Sequence, residues 1–72
     1  MTLLYGVTRE FDAISAISGR VRRFKPGETF LCDAKRNSAD ATVTIEADSS
    51  FFLIDRSILE LCCAFKNEGG PL

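Results

Sequence analysis

Residues 41–55 read ATVTIEADSSFFLID, and this stretch decides the fold predicted from the sequence. In its first half apolar residues alternate with polar ones, which is the period of a strand with one buried face. The apolar residues are Ala41, Val43, Ile45 and Ala47. Asp48-Ser49-Ser50 is a tight connection, because Asp and Ser side chains bond to nearby backbone in turns. The run Phe51 to Ile54 is a second strand, apolar on both faces.

A third strand precedes these two. Pro26-Gly27 predicts a type II turn, because proline presets φ at the first central position and glycine accepts a positive φ at the second. The segment 28–33 that follows it reads as a strand. Residues 28–55 are therefore predicted to form an antiparallel meander. The fold class is β-rich α+β, built as a small antiparallel sheet or an SH3-like partly open barrel.

A C-terminal helix is predicted over residues 57–67. Ser57 and Glu60 match a capping box, in which each side chain satisfies the other residue's backbone amide. An apolar stripe with helical spacing follows: Ile58, Leu61, Cys62 and Phe65. Gly69-Gly70-Pro71 ends the helix, and residues 68–72 are expected to be a mobile tail.

The N-terminal third has two interpretations. Leu3 to Val7 reads as a short strand. From Thr8, a plausible N-cap, apolar residues recur at helical spacing up to Gly19, which favours a short helix over residues 8–18. Isoleucine and serine are weak helix formers, so an irregular strand over residues 10–18 is the alternative.

The chain length of 72 residues limits the molecule to a single domain, 1–72, with a marginal core. Hydrophobic residues make up 46% of the chain, which excludes intrinsic disorder, and the formal net charge is −1. No secretory signal and no membrane-spanning run is present, and the initiating Met1 suggests a complete small gene product. The odd cysteine count favours reduced thiols and a cytoplasmic location.

Catalysis is not expected from this composition. The chain has no histidine, which is the commonest general base and a common metal ligand. Cys32, Cys62 and Cys63 lack the spacing and the fourth ligand of a zinc site. We therefore predict no enzyme activity, no catalytic residues, no metal and no cofactor.

A basic segment over residues 20–36 suggests one possible partner. It holds six basic and two acidic residues in an otherwise acidic chain. Basic side chains around an aromatic ring are typical of nucleic-acid contacts, because they hold phosphates while the ring stacks on a base. The residues in question are Arg20, Arg22, Arg23, Phe24 and Lys25. A nucleic-acid-binding accessory protein is the alternative function; a solvated strand is the simpler interpretation.

The C-terminal strand and helix carry more apolar surface than one small sheet can cover. Such an excess favours self-association or a protein partner. We predict a non-catalytic interaction or regulatory module, either a homo-oligomer, with a dimer favoured, or a chain docked on another protein. The anchors are predicted to be Phe51, Phe52, Leu59, Cys63 and Phe65, because large apolar side chains dominate interface energetics.

Overall fold

The computed structural model of the chain describes residues 2–33 and 41–68. Within these residues there are seven strands and one short helix, in the following order: β1 Thr2–Val7, β2 Phe11–Ser15, β3 Val21–Phe24, β4 Thr29–Asp33, β5 Thr42–Ala47, β6 Ser50–Asp55, α1 Arg56–Cys62 and β7 Cys63–Glu68.

All the strands of the described residues belong to one antiparallel sheet, in the order β3-β2-β6-β5-β4-β1-β7. Strands β4, β5 and β6 pair consecutively, which confirms the predicted meander. The β-rich α+β class is also confirmed, and the sheet is not closed. Its edge strands are β3 and β7.

Two turns of the meander follow the local sequence. Between β3 and β4, the Glu28 amide donates to the Lys25 carbonyl over 3.1 Å, and Gly27 has φ +97°, as the predicted type II turn requires. Between β5 and β6, Asp48 and Ser49 both have positive φ, 53° and 61°. This is the two-residue hairpin turn whose twist matches that of the flanking strands.

The predicted helix over residues 8–18 is wrong, and the strand alternative is closer. Phe11 and Ala13 on β2 are buried, whereas Asp12 and Ile14 are exposed, so the side chains alternate with the period of a strand. Thr8 does not cap a helix; its amide donates to the Cys62 carbonyl over 2.8 Å. Pairing with β3 and β6 outweighs the weak helical propensity of this segment.

The predicted helix over residues 57–67 is only partly correct. It begins at Arg56 and ends at Cys62, and its N-cap is Asp55 with no side-chain cap hydrogen bond, so the Ser57–Glu60 capping box is not formed. From Cys63 the chain is extended and pairs with β1. One edge of β1 is paired with β4, and its other edge offers backbone hydrogen bonds to residues 63–68. This pairing outweighs continuation of the helix. Of the predicted tail, Glu68 ends β7 and residues 69–72 lie outside the described residues.

The core lies on one side of a sheet that curls around it. Phe24 on β3 and Phe30 on β4 have ring centroids 6.1 Å apart, although their strands are first and fifth in the sheet. In a flat sheet four strand spacings would separate them by roughly 19 Å. The buried side chains inside the curl are Val7, Phe11, Ala13, Phe24, Phe30, Cys32, Val43, Ile45, Ala47, Phe52, Ile54, Leu59 and Cys63.

Helix α1 supplies a matched pair for testing this packing, because Leu59 is 6% exposed and Leu61 is 70% exposed. We expect Leu59→Ala to lower the free energy of unfolding by about 2–4 kcal/mol through lost burial and a cavity. Leu61→Ala changes it by less than about 0.5 kcal/mol. Urea denaturation followed by circular dichroism measures both. The reverse ranking would contradict the orientation of α1.

Candidate functional site

The outer face of the sheet, which points away from the core, carries large apolar side chains. On β6, Phe52 and Ile54 point into the core, so the alternation turns Phe51 and Leu53 outward, where they are 46% and 37% exposed. On β2 and β3 the outward residues Ile14 and Val21 are 51% and 65% exposed. Strand β6 is thus apolar on both faces, as the sequence indicates, but the described residues cover only one of them.

The strand register joins these residues into a single surface. Ile14 lies opposite Val21 on β3 and opposite Leu53 on β6, so the three form one row across the sheet. Phe51 is the next outward residue along β6. Ile17, in the β2–β3 connection, is 84% exposed. These five residues are called the outer apolar patch below: Ile14, Ile17, Val21, Phe51 and Leu53.

Local hydrogen bonds hold the β2–β3 connection beside the patch. The Ser15 hydroxyl accepts from the amides of Ile17 and Ser18 at 3.3 and 3.2 Å. Gly19, with φ +75°, lets the chain turn back, and the Ser15 amide donates to the Arg20 carbonyl over 2.8 Å. The Ala16 amide donates to the Phe51 carbonyl over 2.9 Å, which ties the connection to β6. Ile17 is therefore held at the patch border by ordered backbone.

Two shallow grooves border the patch, and acidic residues line both. One groove, of about 420 Å³, has Ile17, Leu31 and Phe51 in its walls together with Glu46. A second groove, of about 320 Å³, lies next to Ile14 and Leu53. It also contacts two carboxylates and one residue of α1: Asp12, Asp55 and Ile58.

The predicted interface residues are not brought together on one surface. Phe51 belongs to the outer apolar patch. Phe52, Leu59 and Cys63 are core residues, 7%, 6% and 9% exposed, because the curled sheet and α1 pack around them. Phe65 is exposed, but it lies on β7 at the far edge of the sheet, edge-on to Tyr5 with ring centroids 5.9 Å apart.

The sequence interpretation missed Ile14, Ile17 and Val21 as surface residues. Their signal was present, because Ile14 follows the buried pair Phe11 and Ala13 in strand alternation. The helical assignment of this segment hid it.

Two arginines of the basic segment, Arg22 and Arg23, are paired with carboxylates of their own chain. The Arg22 guanidinium forms ion pairs with Glu28 at 3.1 Å and with Asp48 at 2.8 Å. It also lies 4.3 Å from the centre of the Phe24 ring, a cation–π contact. Arg22 therefore links β3 to the start of β4 and to the β5–β6 turn.

Arg23 is paired as well, on the outer face. Its Nε lies 3.1 Å from both Glu10 and Asp12, and the hydrogen bond from Arg23 to Asp12 raises the pKa of the guanidinium. Phe24 is 0% exposed, so its ring cannot stack on a base. Arg20 and Lys25 are exposed, whereas Lys35 and Arg36 lie outside the described residues.

The cysteines pack inside or against the core. Cys32 and Cys63 are buried, Cys62 is half-buried, and none of the three is in a disulfide. Burial raises the pKa of the Cys63 thiol from its ordinary 9.0 to about 12, with smaller contributions from Cys62 and Cys32. The folded state thus keeps a proton that the unfolded state releases. This thiol's contribution to stability is complete below pH 9 and is lost as the pH rises towards 12.

Residues 2–33 and 41–68 contain no group of three or more His, Cys, Asp or Glu arranged to hold a metal ion. Within the same ranges, no helix has the length and apolar character needed to cross a membrane.

Comparison of the chain with protein-family models, with curated proteins and with solved structures returned no match in any of the three.

We expect the half-buried Cys62 thiol to react before the buried thiols of Cys32 and Cys63. At pH 8 a disulfide reagent should modify Cys62 first and Cys63 far more slowly, because Cys63 is buried and its raised pKa leaves little of the reacting thiolate. Full denaturation should expose all three. A Cys62→Ser variant should lose the fast phase; loss of the fast phase in Cys63→Ser instead would contradict the burial of Cys63.

Proposed function

We propose that this chain is a non-catalytic interaction module that binds a protein through the outer apolar patch. One observation carries the proposal: the row Val21–Ile14–Leu53, extended by Phe51 and Ile17, lies on the sheet face opposite the core. Contiguous exposed apolar residues of this kind mark interaction surfaces, whereas single exposed ones do not. Each such side chain stabilises a complex by up to about 1.5–3 kcal/mol when it becomes fully buried.

A second copy of the chain is the alternative occupant. The small size of the domain supports a dimer, because a domain of 72 residues has a small core and marginal stability, which association increases. A dimer through the outer apolar patch would then be the regulatory or structural unit.

Nucleic acid is a weaker proposal. Arg22 and Arg23 are already paired with carboxylates, and Phe24 is within the core. Of the predicted contact residues, only Arg20 and Lys25 are left without an ion pair among the described residues. Two exposed cations supply little of the counterion release that drives phosphate binding.

We also propose a barrel type and a cellular compartment for the chain. A partly open, SH3-like barrel is supported by the curl that brings β3 towards β4. A reducing compartment such as the cytoplasm suits a chain whose cysteines carry no disulfide.

Hydroxyl-radical footprinting tests the proposed surface without a known partner. The labelling of each side chain is compared between the purified protein and the same protein in a lysate of the cells that produce it. We expect Phe51, Leu53 and Ile14 to become protected in the lysate, because an occupant covers them. Leu61, exposed on α1, is the internal control and should be labelled equally in both.

Equal labelling of the patch in both samples, at all protein concentrations, would contradict the proposal. Protection that grows with the concentration of the purified protein alone would identify a second copy as the occupant.

A further inference from the structure

The outer apolar patch has the width of a helix. From Val21 on β3 to Leu53 on β6 it spans two strand spacings, roughly 10 Å, which is close to the diameter of an α-helix. The face of a sheet is commonly covered by a helix in layered domains, because each buries the apolar side of the other. In the described residues α1 is the only helix; its main contacts are to β5, β6 and β7, and of its residues Ile58 alone borders the groove beside Ile14.

The two edges of the sheet are poorly suited to pairing with a partner's strand, which favours a partner's helix on the face of the sheet. An extended segment would need the unpaired backbone of β3 or β7. On β3, Arg22 points inward and is tied by two ion pairs, and Pro26 follows the strand. On β7, the register shifts at Leu4–Tyr5 and leaves Lys66 as an extra residue, a bulge. Inward charges and bulges are devices that blunt an edge against pairing.

The charges around the patch are unbalanced. Among the outward positions of β3, β2, β6 and β5, the charged residues are one cation and three anions: Arg23, Asp12, Asp55 and Glu46. Arg23 is already paired with Glu10 and Asp12. No basic side chain of the described residues forms an ion pair with Glu46 or Asp55. Two copies placed face to face would bring these carboxylates together, which disfavours self-association through this face.

These two carboxylates, which have no ion pair among the described residues, lie at opposite ends of the β5–β6 hairpin. Glu46 is opposite Phe51, and Asp55 is opposite Thr42. The rise along a strand separates them by roughly 13 Å, with the apolar patch between them. A helix lying along β6 covers this distance in about nine residues.

We infer that the occupant is an amphipathic helix of a partner protein, with an apolar stripe on the outer apolar patch and basic residues at Glu46 and Asp55. This inference rests on the proposed function and names its partner class. The apolar contacts supply affinity, and the two carboxylates select a basic helix over an acidic one.

Two synthetic peptides test the inference. Both are helices of about 18 residues with the same leucine stripe, long enough to span the face. One has lysines flanking the stripe and the other has glutamates. Binding of each labelled peptide to the full chain is measured by fluorescence anisotropy. We expect the lysine peptide to bind at least about tenfold more tightly, and this preference to shrink as salt screens the exposed charges.

Matched variants of the chain assign the contacts. Glu46→Gln and Asp55→Asn should each weaken binding of the lysine peptide about two- to fivefold, the range for one exposed ion pair. Glu60→Gln is the control, because this exposed carboxylate is two residues from Ile58 and so on the opposite side of α1. Leu53→Thr should weaken both peptides, whereas Leu61→Ser should weaken neither.

Equal affinity for the two peptides, or indifference to Glu46→Gln and Asp55→Asn, would overturn the inference. If footprinting shows protection of the patch but neither peptide binds, the proposed function stands and the basic helix is wrong. If light scattering shows a dimer that Leu53→Thr dissociates, the occupant is a second copy, and the inference is also overturned.

Discussion

The packing of Phe24 against rings from other strands is the constraint on which the structure depends. Its ring is 5.2 Å from Phe11, 6.1 Å from Phe30 and 5.5 Å from Phe52, centre to centre. Because Phe24 lies on an edge strand and Phe30 lies four strands away, these contacts require the sheet to curl. Arg22 covers the Phe24 ring and pairs with Glu28 and Asp48, so the open side of the curl is bridged by charge as well as by aromatic contact.

The curl determines which face of the sheet is left uncovered by the described residues. It directs one face of every central strand to the interior, and helix α1 adds Leu59 to the same core. The other face of β2, β3 and β6 therefore has no covering element among the described residues. Its apolar row and the carboxylates beside it follow from strand alternation alone. The proposed interaction surface is thus the second face of the strands that build the core.

The strands in the middle of the chain could be predicted because apolar and polar residues alternate where one face of a strand is exposed. Strand β5 alternates apolar and polar residues, and the turns at Asp48-Ser49 and Pro26-Gly27 have local signatures. Strand β2 was hidden because outward Ile14 and Ile17 combine with buried Phe11 to imitate helical spacing. Strand β7 was hidden because its pairing with β1, such as Tyr5 opposite Phe65, is not a local property. The patch combines residues distant in sequence, so Phe51 was its only predicted member.

Strands β2, β3 and β6 hold the core on one face and present the outer apolar patch on the other. Methyl NMR with a soluble paramagnetic agent distinguishes the two faces directly. The sample is the purified chain at a concentration where light scattering reports a monomer. We expect strong relaxation of the Ile14, Ile17, Val21 and Leu53 methyl groups, and protection of those of Val43, Ile45 and Ile54. Protection of Ile14 and Val21 equal to that of Ile45 would contradict this arrangement of the two faces.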